Sequence, residues 1–209
     1  MKRASFLLAF SFLFLLSVSA QQYIPVYKER GYFFGLGAKT NVFVNNNAVT
    51  DINVWKKPSI GGNVFAGKWF NPKIGSRILF EEGTLHPYFQ SMNLRVDQNY
   101  FLGRLDFLLD FTNFVNYIPD RNYHMIPYIG VSGAYAFNAV NRPDNANKFS
   151  SFMFGGGLWN TFDFSRNISG YFSLGLDFVD ADFDGYKSDG RKLNLIASLS
   201  IGIIYYFNQ

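Results

Sequence analysis

The chain has 209 residues, no Cys, 19 Lys and Arg against 15 Asp and Glu, and a formal net charge of +4. Without Cys, a disulfide-stapled domain, thiol catalysis and thiolate metal sites are excluded, and so small a positive excess gives no argument for a nucleic-acid partner. Aromatic residues make up 20% of the chain and charged residues only 16%, against roughly 25% charged in soluble domains.

Lys2 and Arg3 precede an apolar run from Phe6 to Leu16, interrupted only by Ser11, and Val18-Ser19-Ala20 supplies small residues before Gln21. This is the pattern of a secretory signal peptide, too short for a spanning helix of about 20 residues. Residues 1–20 are therefore expected to be a signal peptide, 21–30 a periplasmic N-terminal segment, and 31–209 the folded domain. No later run is long and apolar enough for a spanning helix. Lipid admits only helices and closed barrels as spanning structures, so a secreted chain rich in Phe, Tyr and Gly predicts a transmembrane β-barrel.

The predicted strands alternate apolar and polar or small residues. The first, Tyr32 to Lys39 and extendable to Val44, sets Tyr32, Phe34 and Leu36 against Phe33, Gly35, Gly37 and Lys39. A polar loop follows to Pro58. In the second, Ser59 to Phe70, Lys68 falls among Ile60, Val64 and Ala66. Either Lys68 snorkels to the interface or a bulge changes the phase. After the turn Asn71-Pro72-Lys73, strand three runs Ile74 to Glu82 and a long loop Gly83 to Gln98. Strand four, Tyr100 to Thr112, turns Phe101, Leu105, Phe107, Leu109 and Phe111 out and Arg104, Asp106 and Asp110 in.

Asn113 to Asn122 is a turn, and strand five is Tyr123 to Asn138, where Pro127 predicts a bulge because it cannot donate to a ladder. Strand six is Lys148 to Phe164, strand seven Ile168 to Val179, and strand eight Arg191 to Phe207. The last strand carries an apolar face from Leu193 to Phe207, longer than a usual globular strand. The expected fold is all-β: an eight-stranded antiparallel up-and-down transmembrane barrel. Longer, more polar loops alternate with shorter turns, which places both termini in the periplasm.

These features resemble the small outer-membrane barrels of the OmpA/OmpX type. Gly67-Lys68-Trp69-Phe70-Asn71-Pro72 is similar to the strand-turn unit of OmpA-family barrels of the Bacteroides group. The resemblance implies a Gram-negative outer membrane, contact with outer-membrane lipid and lipopolysaccharide, and insertion machinery that reads the aromatic end, here Tyr205 and Phe207. It also admits other outer-membrane proteins as partners. Two departures stand out: relatives often continue into a peptidoglycan-binding domain where this sequence reaches Gln209, and Asn208 and Gln209 follow the aromatic end.

A barrel of this size has an interior that side chains can fill. The inward set includes Lys39, Arg77, Glu81, Arg104, Asp106, Asp110, His124, Asp163, Asp177 and Lys192. Buried charges must pair, so an ion-pair network plugging the lumen is expected; a gated pore is the alternative. Some barrels of this type modify lipid A, which needs a nucleophile and a base. Only His86 and His124 are present, neither beside a suitable Ser, so no catalytic residue and no cofactor are expected. Asp180-Ala181-Asp182-Phe183-Asp184-Gly185 opens like a calcium loop, making Asp180, Asp182 and Asp184 candidate ligands, but Arg191 stands where the twelfth-position Glu belongs. No flanking helix pair accompanies it, and an acidic outer hairpin tip with Asp184-Gly185 and Asp189-Gly190 as turn residues is the plainer reading. Gly67-Lys68-Trp69 also matches the G-x-W of soluble lipocalins, which would need polar outer faces. The expected role is structural, adhesive or complex-forming, with a lipid A-modifying enzyme or a lipocalin-like binder as alternatives.

Overall fold

The computed structural model describes residues 31–44, 59–86, 88–89, 94–118, 121–141, 148–180, 183 and 193–207. The expected signal peptide and N-terminal segment lie outside these residues. Eight strands form the barrel: β1 Tyr32–Val44, β2 Ser59–Trp69, β3 Ile74–Leu85, β4 Asp97–Leu109, β5 Tyr123–Val140, β6 Lys148–Asp163, β7 Ile168–Asp180 and β8 Leu193–Tyr206. Each pairs antiparallel with its neighbours in sequence, and β1 closes on β8 with Phe33 opposite Tyr206 and Val44 opposite Leu195. Closure leaves no unpaired edge, which lipid requires. Among the described residues no helix is long and apolar enough to cross a membrane.

The period-2 pattern becomes an inside and an outside. Leu36, Ile78, Leu105, Ile129, Leu174 and Ile201 stand exposed on the outer wall, while Phe33, Phe65, Leu102 and Trp159 are buried inside. Lys68 stays on the outer face in an unbroken register with β1 and β3. It donates to Tyr32 Oη at 3.2 Å, with Nζ 4.6 Å from the Tyr32 ring centroid. Of the two readings of Lys68, the bulge is ruled out by this register, and the side chain lies on the outer face at the strand's periplasmic end.

Three expectations are corrected. No bulge occurs at Pro127: its pairing with Leu158 is regular, and pairing to β4 ends one residue away at Tyr128, so the missing N–H interrupts nothing on that side. The irregularity lies near the other end of β5, where Asp97 and Asn99 oppose Val140 and Phe137 and Asn138 takes φ 52°. An extra residue on one strand beside an Asn in the left-handed region is a β-bulge.

Strand four does not reach Thr112. It stops at Leu109, and Asp110 caps a short helix, α1, spanning Phe111–Val115. The Asp110 carboxylate accepts from Asn113 N at 3.0 Å and Thr112 Oγ1 at 2.5 Å. That local cap overrides the continuing alternation of Phe107, Leu109 and Phe111. The loop expected over residues 83–98 is also shorter. Leu85 still pairs with Gln98, and Tyr88–Phe89 and Leu94–Arg95 make a small ladder of their own.

Candidate functional site

The lumen is the place where polar chemistry gathers, and it is built in layers. Toward the outer mouth, Lys39 on β1 donates to Glu81 on β3 at 2.6 Å, and Tyr100 on β4 donates to the same carboxylate. Asn41 Nδ2 donates to Tyr100 Oη at 2.5 Å. Phe183 is buried at this end, its carbonyl accepting from Gln98 Nε2 at 3.4 Å and its ring edge-on to Phe149.

The middle layer is a four-membered chain of charges. Arg77 Nε donates to Asp106 Oδ2 at 2.8 Å. Arg104 Nε lies 2.8 Å from Asp106 Oδ1, and its Nη1 donates to Asp177 Oδ1 at 2.9 Å. All four residues are at most 5% exposed. Such a cluster persists only because each charge faces an opposite one at contact distance. Between Lys39, Arg77, Arg104, Tyr128 and Tyr171 the remaining cavity is about 10 Å³, about the room one water needs.

Beneath it lies an aromatic layer. The Arg77 guanidinium sits 4.6 Å from the Trp159 ring centroid, 4.9 Å from Tyr128 and 5.3 Å from Phe65. Phe33 packs on Phe65, Trp69, Trp159 and Tyr206 at centroid separations of 5.8 to 6.3 Å. Aromatic contacts of this kind add attraction beyond their area, and Arg gains from facing rings. Tyr171 donates to Asn63 Oδ1 at 2.8 Å across the barrel.

At the periplasmic mouth, His124 Nδ1 lies 2.8 Å from Asp110 Oδ2 and Nε2 lies 2.9 Å from the Arg121 carbonyl. Asp163 is 3.9 Å from Nε2 and accepts from Ser169 Oγ at 2.5 Å. This group ties α1 and the start of β5 beneath the aromatic layer.

The expected inward charges are thus brought together in two places: Lys39 and Glu81 line one cavity with Arg77 and Arg104, whose chain includes Asp106 and Asp177, and Asp110, His124 and Asp163 meet at the periplasmic mouth. The aromatic layer separates the two. Lys192, Asp182 and Asp184 lie outside the described residues, and Asp180 is an exposed residue ending β7. Among the described residues no cluster of His, Cys, Asp or Glu is arranged to hold a metal ion. His86 is paired with Asp97 at 2.6 Å where β3 ends and β4 begins, at the opposite end of β4 from His124. Tyr205 and Phe207 face outward, 46% and 49% exposed, with their rings edge to face. Tyr100 and the rings around Arg77 were not singled out from the sequence as parts of the network; their inward parity is the signal that finds them.

No family model matches the sequence. Outer membrane protein 40 of Porphyromonas gingivalis is 33% identical over 93 residues, covering 44% of this chain and 24% of that relative. Among solved structures, Neisserial surface protein A superposes with a TM-score of 0.56 at 9% identity, over 85% of this chain and 97% of the other. The outer membrane protein OprG of Pseudomonas aeruginosa gives 0.55 at 9% identity, over 90% and 100%. These structures share the fold of a closed barrel; in this chain its wall is apolar outside and polar or aromatic inside. That arrangement is the inverse of a soluble lipocalin and corrects that alternative. The chain is an integral outer-membrane β-barrel of eight strands, with the fold of these small outer-membrane barrels.

Proposed function

We propose that this barrel is a non-enzymatic envelope protein that holds a closed lumen and presents its outer end to partners, in a structural, adhesive or complex-forming role. The observation carrying this reading is the filled lumen: Arg77, Asp106, Arg104 and Asp177 joined at 2.8 to 2.9 Å over a layer of aromatic rings. The free volume among these side chains is about 10 Å³, which supports a lumen closed to steady flow. The length of β5 and β6 supports the presenting role. At 18 and 16 residues they exceed the roughly 9–11 that a spanning strand needs. Their outer ends therefore rise beyond the bilayer, with Tyr135 and Phe137 stacked at 6.2 Å on that ridge. His124 is held by Asp110 and the Arg121 carbonyl, and Ser169 donates to Asp163 instead. Those contacts suit a structural histidine better than a catalytic base. Two measurements test the reading together: steady channels in planar bilayers would sink the closed lumen, and a changed acyl number in lipid A from cells carrying the protein would restore the enzyme.

A further inference from the structure

The periplasmic rim carries a patch that the closed lumen does not use. In α1 only Asn113 is buried, while Phe111, Phe114 and Val115 are 42%, 59% and 68% exposed. The helix is fastened to the β2–β3 turn: Asp110 N donates to the Lys73 carbonyl at 2.7 Å, and Asn113 Nδ2 to the Pro72 carbonyl at 2.9 Å. That turn contributes Phe70, 61% exposed, and Lys73, whose Nζ stands 5.6 Å from the Phe114 ring centroid. Lys68 reaches the same rim along the outer wall, anchored on Tyr32.

Charge on this rim is one-sided. Among the described residues near it, the acids Asp110 and Asp163 are taken up by contacts within the barrel mouth. Lys73 and Arg166 are exposed, and Lys68 and Arg121 are half-buried. The apolar surface of α1 continues directly from the lipid-facing wall of β4, where Phe107 is 47% exposed. In water such a patch would leave large rings unshielded; at a membrane interface it matches the local polarity.

We propose that this rim is a binding site for anionic phospholipid of the periplasmic leaflet. Lys68 and Lys73 take the headgroup phosphate, while Phe70, Phe111, Phe114 and Val115 seat in the acyl boundary. The short helix thus acts as an interfacial anchor beneath the barrel. The chemistry is that of a basic cluster beside apolar side chains, each lysine near the surface favouring an anionic headgroup by about fivefold.

The full-length protein, refolded into bilayers of equal phosphatidylglycerol and phosphatidylcholine and then extracted in mild detergent, would be weighed intact by native mass spectrometry. Wild type should retain phosphatidylglycerol over phosphatidylcholine by about twenty-fivefold, fivefold for each lysine, and Lys68→Gln with Lys73→Gln should bring the two to parity. Lys73→Gln alone, in an exposed turn, should give an intermediate preference without touching a strand. Heat-dependent gel mobility checks that each variant is folded. Equal retention of both lipids by wild type, or an unchanged preference in the folded double variant, would overturn the site.

Discussion

Asp106 and Asp177 lie in one ladder row across the barrel wall, separated by Gly130 and Gly155, and Arg104 bridges the two carboxylates. The row continues to Arg77 opposite Asp106. A β-carbon on Gly130 would meet Asp106 Oδ1, and one on Gly155 would meet Asp177 Oδ1. The two glycines therefore leave the room in which the acids reach inward.

Asp106 compensates both Arg77 and part of Arg104. Asp106→Ala should lower unfolding stability by about 3–5 kcal/mol, because it strands buried positive charge. Urea titration of the barrel in lipid vesicles measures this. Arg77→Met combined with Asp106→Leu should recover most of the loss, and a double variant as weak as Asp106→Ala would contradict this account.

Gly155→Ala pushes a methyl against the Asp177 carboxylate and the Leu176 carbonyl and should cost about 1–3 kcal/mol. Gly133, by contrast, has nothing within 4 Å of an added β-carbon. Gly133→Ala should be neutral or stabilise by up to about 1 kcal/mol, since glycine is an unfavourable strand residue. The same urea titration compares them.

Trp159 and Phe65 close the space beneath Arg77. Removing both rings as Trp159→Ala with Phe65→Ala should open a water path and make planar bilayers conduct where wild type stays silent. If the folded variant is also silent, the aromatic layer is not the seal.

Asp110→Ala removes the cap of α1 and the Nδ1 partner of His124. Loss of an N-cap acid costs about 1–2 kcal/mol. Amide exchange should quicken at residues 113–116, while β4 and β5 keep their protection; uniform loss of protection would mean that α1 is part of the barrel's cooperative unit.

Leu105 stands on the outer wall midway along β4, 55% exposed. Leu105→Arg should cost about 2–4 kcal/mol in a bilayer, whereas Lys68→Leu, at the rim, should change stability by less than about 1 kcal/mol. Equal costs at the two depths would contradict the placement of the membrane.

The architecture was legible because period-2 alternation survives in every strand, and the inward parity of Lys39, Arg77, Glu81, Arg104, Asp106 and Asp177 follows from it. Which charge meets which was not legible. Pairing depends on stagger around the barrel, and the Arg104 to Asp177 contact joins strands that are not neighbours. Pro127 misled because its position relative to the end of the β4 ladder is a tertiary fact. Phe111 misled because it keeps the strand's phase, while the cap at Asp110 decides the backbone. The sequence admits two readings of Lys68, and only the register with β1 and β3 separates them.

The pairing of Phe33 with Tyr206 has a consequence for how the barrel comes into being. The contact that seals the cylinder joins the first strand to the last, so the loop it closes is almost the whole folded chain. Such long-range contacts form slowly, and until they do β1 and β8 both offer bare edges. Closure alone does not shield the outer rows of Phe and Leu, which stay exposed in the finished cylinder until lipid covers them. Pairing of the two ends and entry into the bilayer must therefore go together, because a chain with open edges and uncovered apolar rows is prone to aggregate.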